Sequence, residues 1–320
     1  VMRAFIFPGQ GSQSVGMGKA LADASPVARE VFGEVDEALG QNLFRLMTEG
    51  PADALTLTEN AQPAIMANAI ATLRVLEREG NVRLADKAEY VAGHSLGEYT
   101  ALCAAQAFDL STTARLLRLR GQAMQVAVPV GEGAMAALLG ADLDKARAIA
   151  AAAVEAVVAD GGGAQVCTVA NDNDPGQVVI SGHRAPVERA VSLAKEMGAK
   201  RGVLLPVSAP FHCPLMQPAA DAMAAALADA RIAAPLVPVF ANVHAAPIAD
   251  PDAIRAALVE QVTGMVRWRE SVLAMVEAGV AQFVEFGGKV LAPMVKRIAP
   301  DADAVSVVTM DDLENLLKTM

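Results

Sequence analysis

Several residue types that non-catalytic functions depend on are scarce in this chain. One tryptophan and two tyrosines in 320 residues are too few for a base-stacking surface. The three cysteines, Cys103, Cys167 and Cys213, form no CxxC pair and no even framework, which argues against a disulfide scaffold and a structural zinc site. Each reads as a small buried hydrophobe. Positive charge is in deficit: 26 Lys and Arg against 36 Asp and Glu leave a net charge of −10, which argues against nucleic acid or an anionic membrane as the main partner. No uninterrupted apolar run reaches the ~18–20 residues of a membrane span. The mean hydropathy of +0.35 reflects alanine-rich stretches such as Ala148–Ala156 and Ala219–Ala228. The opening segment Met2–Pro8 has one basic residue and an apolar run too short for a signal peptide, so a cytoplasmic location is expected.

Hydrophobic residues make up 53% of the chain and charged residues 19%, enough for a sizeable core. Met2–Phe7 reads as a buried strand closed by the turn-forming run Pro8-Gly9-Gln10-Gly11. Helices are expected at about Gly16–Leu21, Pro26–Leu39, Gln62–Glu79, Tyr99–Ala107 and Thr112–Ala127, with a short strand ending at Tyr90–His94. This alternation indicates an α/β architecture with a largely parallel sheet. From Gly131 the texture changes. Strands at Met135–Leu139, Cys167–Ala170, Gln177–Ser181 and Gly202–Leu205 enclose helices at Asp142–Ala159 and Pro186–Met197, the β-α-β-β-α-β order of a ferredoxin-like unit. Asn171-Asp172-Asn173-Asp174-Pro175-Gly176 reads as a polar turn within it. The expected division is a large unit of residues 1–130 and 202–320, and a small one of 131–201. Beyond it, helices are expected at Pro214–Ala230, Asp252–Gln261 and Arg269–Ala278, and strands at Val237–Ala241 and Gln282–Phe286.

Gly93-His94-Ser95-Leu96-Gly97 stands between an apolar strand and a helical segment, the context that a G-x-S-x-G nucleophile elbow requires. The glycines leave room for a strained turn that exposes the serine hydroxyl, and the following helix aims its first N–H groups at developing negative charge. Four histidines could supply the base. His94 adjoins the serine, and neighbours on an elbow diverge. His183 reads as solvated, and His244 follows a strand in a loop. His212, in Ser208-Ala209-Pro210-Phe211-His212-Cys213-Pro214, lies on a loop stiffened by two prolines and follows the serine in chain order. Asp250, Asp252 and Glu285 stand in no persuasive context for a third member, and a carbonyl can orient the imidazole instead. Arg120 lies on a helix about 25 residues after the serine. Leu116, Leu119 and Ala123 are expected to point inward there, with Arg120 beside them and Arg118 elsewhere. A partly buried arginine in a dry cleft suits bidentate binding of a carboxylate.

Phe7-Pro8-Gly9-Gln10-Gly11-Ser12-Gln13, Gly93–Tyr99, Arg120-Gly121-Gln122-Ala123-Met124-Gln125, Ala170-Asn171-Asp172-Asn173, Pro210-Phe211-His212 and Asn242-Val243 occur in this order. Together they resemble the malonyl-CoA–acyl-carrier-protein transacylases of bacterial type II fatty acid synthesis, nearly end to end. The resemblance implies an α/β-hydrolase-like core with a ferredoxin-like insert. It implies Ser95 as nucleophile, His212 as general base, backbone N–H groups of Gln10 and Leu96 as oxyanion hole, and Arg120 as the clamp on a malonyl carboxylate. Gln10, Asn171 and Phe211 join Arg120 as expected substrate-binding residues, and the Gln261 carbonyl is expected to orient His212. Gly264-Met265 stand where the family commonly has Asn-Pro. Leu96 and Phe211 resemble the malonyl-specific form, in which bulk beside the base excludes an α-methyl branch. The expected partners are malonyl-CoA and holo-acyl carrier protein. Coenzyme A and phosphopantetheine thioesters are substrates, so no cofactor and no metal is implied, and a monomer is expected. Lys200 and Arg201 at the insert's exit are the candidate docking residues for the acidic carrier, with Lys195, Arg184 and Arg189 nearby in sequence. A serine thioesterase or lipase-like hydrolase would share the elbow without needing Arg120, and a polyketide-pathway acyltransferase is the other alternative.

Overall fold

A computed structural model describes residues 1–320. Ten strands form two sheets: β1 (Arg3–Phe7), β2 (Tyr90–Gly93), β3 (Gly133–Leu139), β4 (Cys167–Asp174), β5 (Gln177–His183), β6 (Arg201–Leu204), β7 (Val239–Ala241), β8 (Ala246–Ile248), β9 (Gln282–Phe286) and β10 (Asp303–Val307). The large sheet has the order β10-β9-β1-β2-β7-β8. It is parallel except at one edge, where β8 runs antiparallel to β7. The small sheet, β4-β5-β3-β6, is antiparallel. Its last strand runs to Leu204, so the small unit closes a few residues beyond the expected boundary at 201. No helix is long and apolar enough to cross a membrane.

The large sheet is covered on both faces, as parallel sheets require. Along β1 the two-residue period divides the side chains. Phe5 and Phe7 enter the main core with Val91, Val284 and Phe286, while Ala4 and Ile6 face a second cluster with Ala92, Trp268 and Phe283. Parallel pairing of β1 with β2 and of β2 with β7 places their carboxyl ends together, and the loops that leave those ends carry the site.

The expected helices and strands are present, with ends displaced by a few residues. The first helix starts at Lys19, three residues later than expected, because Gly16 and Gly18 have positive φ. Helices Leu43–Glu49, Ala52–Thr56, Leu84–Lys87, Leu291–Ile298 and Met310–Leu317, and strands β8 and β10, have no counterpart in the sequence reading. Most are short. The helix Leu291–Ile298 is held by Glu285, whose buried carboxylate accepts the N–H groups of Val290, Leu291 and Ala292, a carboxylate at a helix N-terminus.

Asn171–Asp174 is not a turn: it continues β4, and all four residues are buried. Their polarity serves the contact between the two units. The Asp172 N–H donates to Val266 O and the Val266 N–H to Ala170 O. The Asp172 carboxylate pairs with Arg269 at 2.9 Å and that of Asp174 with Arg297 at 2.8 Å. Asn173 Oδ1 lies 2.7 Å from His94 Nε2. The small unit is therefore docked through the ionic and amide contacts of β4 together with apolar packing of Met135, Ala137 and Val179 into the main core.

Arg269→Met would leave Asp172 buried without its cation. Stability should fall by about 3 kcal/mol at pH 7, read from denaturant unfolding. The deficit should shrink toward pH 5 as Asp172 takes up a proton; a deficit independent of pH would mean that packing, not charge, is what Arg269 contributes.

Candidate active site

Ser95 follows β2 and has φ 55°, the left-handed conformation that side chains rarely adopt. Two glycines make the turn possible. A Cβ at Gly93 would lie 1.8 Å from Gly97 O, and one at Gly97 would lie 2.3 Å from Phe7 O. The helix Gly97–Ala104 then leads away from the serine. His212 also has a positive φ, 55°, on the loop between the small unit and the helix Gln217–Asp229.

Ser95 Oγ lies 2.7 Å from His212 Nε2, and His212 Nδ1 lies 2.9 Å from the backbone carbonyl of Gln261. A carbonyl only accepts, so Nδ1 carries the proton and the Nε2 lone pair faces the serine. Burial and the nearby Arg120 cation push the His212 pKa down to about 3, so the ring is a neutral base at physiological pH. The other histidines point elsewhere. His94 bonds Asn173. His183, half-buried rather than solvated, accepts from the Val166 N–H. His244 faces Glu260 at 3.2 Å. No carboxylate bonds His212: Asp250 caps the helix Pro251–Thr263 and Glu285 caps Leu291–Ile298, while Asp252 pairs with Arg255.

Arg120 is 1% exposed. The buried face of its helix runs through Thr113, Leu116, Leu117, Gly121 and Met124, and Arg120 sits within it. Leu119, expected inside, is 37% exposed. Nη1 donates to Gln62 Oε1 at 2.9 Å, and Nη2 donates to Gln261 Oε1 at 2.8 Å and Ser95 Oγ at 3.1 Å. Nε has no partner, and the Tyr99 ring lies 5.6 Å away. All the hydrogen-bond acceptors are neutral. The guanidinium therefore lies at the serine with no carboxylate bonded to it, and burial lowers its pKa.

A buried polar network supports the elbow, and the sequence analysis gave Asn242, Glu98 and the Gln261 side chain no role. Asn242 Oδ1 accepts the Ser95 N–H at 2.8 Å, and Asn242 Nδ2 donates to Gly93 O at 2.7 Å. Gln261 Nε2 donates to Ser95 O, Asn242 Oδ1 and Glu98 Oε1. Glu98, 1% exposed, also accepts the Asn242 N–H at 2.7 Å. Its pKa is pushed up to about 7, chiefly by burial, with the hydrogen bonds and Arg120 acting against the rise. Asn242 and Glu98 stand within runs already singled out. Gln62 carries a sequence signal only as a polar residue on an otherwise apolar helix face.

Ser95, His212 and Arg120 open onto a cavity of about 260 Å³, also lined by Gln10, Leu96, Asn171 and Phe211. The N–H groups of Gln10 and Leu96 donate to no protein acceptor, leaving both for an incoming oxygen. Lys200 and Arg201 are exposed and lie outside the cavity. β6 carries the chain from them to Leu205, Pro206 and Val207 on its wall. Arg184 and Arg189 are engaged with Glu188 and Asp160. No group of three His, Cys, Asp or Glu side chains could hold a metal ion, and the three cysteines are buried. The arrangement can activate a serine by general base catalysis, stabilise a tetrahedral oxyanion and attract an anionic substrate group.

A neutral serine reagent tests the base alone. The rate at which phenylmethanesulfonyl fluoride modifies Ser95 should stay within about twofold between pH 8 and pH 5. A base with an ordinary histidine pKa would lose roughly thirtyfold over that range, and such a fall would contradict the buried, neutral His212.

Residues 4–291 match the family model described as acyl transferase domain. Among curated proteins, the malonyl CoA–acyl carrier protein transacylase of Escherichia coli K12 is 48% identical over 296 residues, 92% of each chain. That of Bacillus subtilis 168 is 42% identical over 318 residues, 99% of this chain and 96% of the other. Among solved structures, the acyl-carrier-protein S-malonyltransferase of Bartonella henselae superposes with a TM-score of 0.94 at 52% identity, covering 100% of this chain and 99% of that one. A malonyl-transacylase in complex with its type II polyketide synthase acyl-carrier protein superposes with a TM-score of 0.94 at 39% identity, covering 100% of both chains.

Proposed function

The chain belongs to the malonyl CoA–acyl carrier protein transacylase family, and on that premise we propose that it moves a malonyl group from coenzyme A to the phosphopantetheine thiol of acyl carrier protein, for fatty acid synthesis, by way of a malonyl ester of Ser95. The observation that carries this reading is the buried Arg120 guanidinium, 3.1 Å from the nucleophile and bonded to no carboxylate. A thioesterase or lipase acting on neutral acyl chains has no use for a buried cation there, and burying one without a bonded carboxylate is costly.

In the first half-reaction Ser95 Oγ attacks the thioester carbonyl as His212 Nε2 takes its proton. The Gln10 and Leu96 N–H groups receive the oxyanion. Collapse breaks the carbon–sulfur bond, and the proton on His212 passes to the departing thiolate of coenzyme A. In the second, the phosphopantetheine thiol gives its proton to His212 and attacks the ester. Ser95 recovers that proton as it leaves. Arg120 holds the malonyl carboxylate in both steps, a bidentate fit that fixes the reacting carbon one methylene away. Asn171 and Phe211 complete the acyl pocket, and the bulk of Phe211 and Leu96 disfavours an α-methyl branch. Coenzyme A and phosphopantetheine act as substrates, and the chemistry asks for no cofactor.

One chain supplies every group of the site, which supports a monomer, and the cytoplasm is the proposed location. For the protein partner, Lys200 and Arg201 are exposed, form no ion pair and precede the strand leading to the cavity wall. In a chain of net charge −10, a local cationic edge is what an acidic carrier requires.

Incubation with malonyl-CoA should add one malonyl group at Ser95, seen by intact mass and peptide mapping, and Ser95→Ala should abolish it. Passage of that label to holo-carrier should follow ping-pong kinetics. Lys200→Glu with Arg201→Glu should raise the carrier KM by about tenfold or more and leave Ser95 acylation unchanged. Label retained in Ser95→Ala would refute the intermediate, and release of free malonate in place of transfer would favour a hydrolase.

A further inference from the structure

The catalytic cluster holds two formal charges that the transfer mechanism treats unequally: it uses Arg120 and leaves Glu98 unexplained. Glu98 lies on the first turn of the helix after the nucleophile and is buried. Both of its hydrogen bonds fall on Oε1, from the Asn242 N–H at 2.7 Å and from Gln261 Nε2 at 3.2 Å. No protein donor reaches Oε2. The Gln261 carboxamide joins the two charges, donating to Glu98 and accepting from Arg120 Nη2 at 2.8 Å. As long as Glu98 accepts, the amide oxygen must face Arg120, and the Gln261 backbone carbonyl remains on His212 Nδ1.

The other buried charged side chains are engaged elsewhere. Arg3 bonds Gln282, Asp172 and Asp174 pair with Arg269 and Arg297, and Glu285 caps a helix. The titratable groups that act on Glu98 are Arg120 and Tyr99, and His212 and His94 complete the cluster. Burial keeps Tyr99 protonated and His94 and His212 neutral. Glu98 and Arg120 therefore balance each other in the empty site. A substrate carboxylate upsets that balance, because one buried guanidinium would then face two carboxylates. Interacting acids that share one cation do not both stay ionised when buried.

We infer that Glu98 is a positioning residue that exchanges charge with the substrate: it is a carboxylate in the empty site and takes up a proton from solvent, at Oε2, when a malonyl carboxylate pairs with Arg120. Oε1 keeps its two donors through the change, so the Asn242 and Gln261 supports of the elbow persist while the net charge of the cluster stays constant. Burial already holds the group close to its point of titration, with a pKa of about 7. The inference rests on the malonyl reading above. It has a consequence that the reading lacks: binding of a carboxylate-bearing acyl group consumes a proton, and binding of a neutral one does not.

The test uses Ser95→Ala protein, in which binding occurs without chemistry or thiol release. Calorimetric titration at pH 8 in two buffers of different ionisation enthalpy counts protons taken up with malonyl-CoA and with acetyl-CoA, which carry the same nucleotide phosphates. Malonyl-CoA should take up an excess approaching about one proton per site, and its Kd should rise by close to tenfold per pH unit above the Glu98 pKa. Adding Glu98→Gln should remove the excess and flatten the pH dependence. Should that double variant not fold, an infrared difference spectrum of Ser95→Ala with carbon-13-labelled malonyl-CoA should show a new protonated-carboxyl band that the label does not shift. Equal proton counts for the two ligands, an excess that survives Glu98→Gln, or the absence of that band would overturn the inference and leave the malonyl reading standing. Failure of Ser95→Ala to bind malonyl-CoA at all would overturn both.

Discussion

The site depends on a cation that the protein buries and then declines to neutralise by contact. Arg120 is held by two glutamine oxygens and the serine hydroxyl, with Nε unpartnered. Desolvating a guanidinium on these terms is unfavourable in isolation, and the arrangement persists because the elements around it are fixed by other means. Its helix packs through Leu116, Leu117 and Met124 into a core of 64 buried residues. Gln62 and Gln261 come from two further helices, each anchored on its own apolar face. The stability of the core thus offsets a local deficit, and in the proposed function that deficit is what a substrate carboxylate relieves. Binding energy would then be concentrated at the end of the acyl group that tells malonyl from a neutral chain, as specificity built on a buried polar group requires.

The second constraint is where the catalytic groups come from. Ser95 stands on a turn of the large sheet, His212 on the loop returning from the small unit, and the carbonyl that orients His212 on a helix near the end of the chain. These segments are far apart in sequence, so relative movement of the two units would separate nucleophile from base. β4 prevents this. Its Asp172, Asn173 and Asp174 reach across to Arg269, His94 and Arg297, and its backbone bridges Val266, five residues from Gln261. The pair with His94 joins the small unit to the residue beside the nucleophile itself.

Much of this was legible in the sequence wherever a residue type has one dominant physical use. Glycines at 93 and 97 around a serine imply close backbone approach, and the structure puts backbone atoms within 2.3 Å of either hypothetical Cβ. A compact apolar run marked β1, because both faces of the sheet are buried there, and β9 and the helix Pro26–Leu39 begin and end where expected. Polar residues were less transparent. Asn171–Asp174 has the composition of a turn, and only its partners across the unit boundary make it a buried strand. Gln62, Glu98 and Asn242 look like surface residues until tertiary structure brings their partners, some of them more than a hundred residues away, into contact. The helix carrying Arg120 misled in another way. Its apolar stripe was placed one residue off, through Leu119, because a charged residue is not expected at the centre of a buried face.

The central claim, that a buried guanidinium bonded to no carboxylate selects the acyl group, is tested most directly by comparing kcat/KM for malonyl-CoA and acetyl-CoA in the wild type and in Arg120→Ala. The wild type should favour malonyl-CoA strongly. The variant should lose roughly 2–5 kcal/mol of that preference, about thirtyfold to several thousandfold, with relative activity toward acetyl-CoA rising. A variant that keeps the wild-type preference, while folded and still acylated at Ser95, would contradict the account.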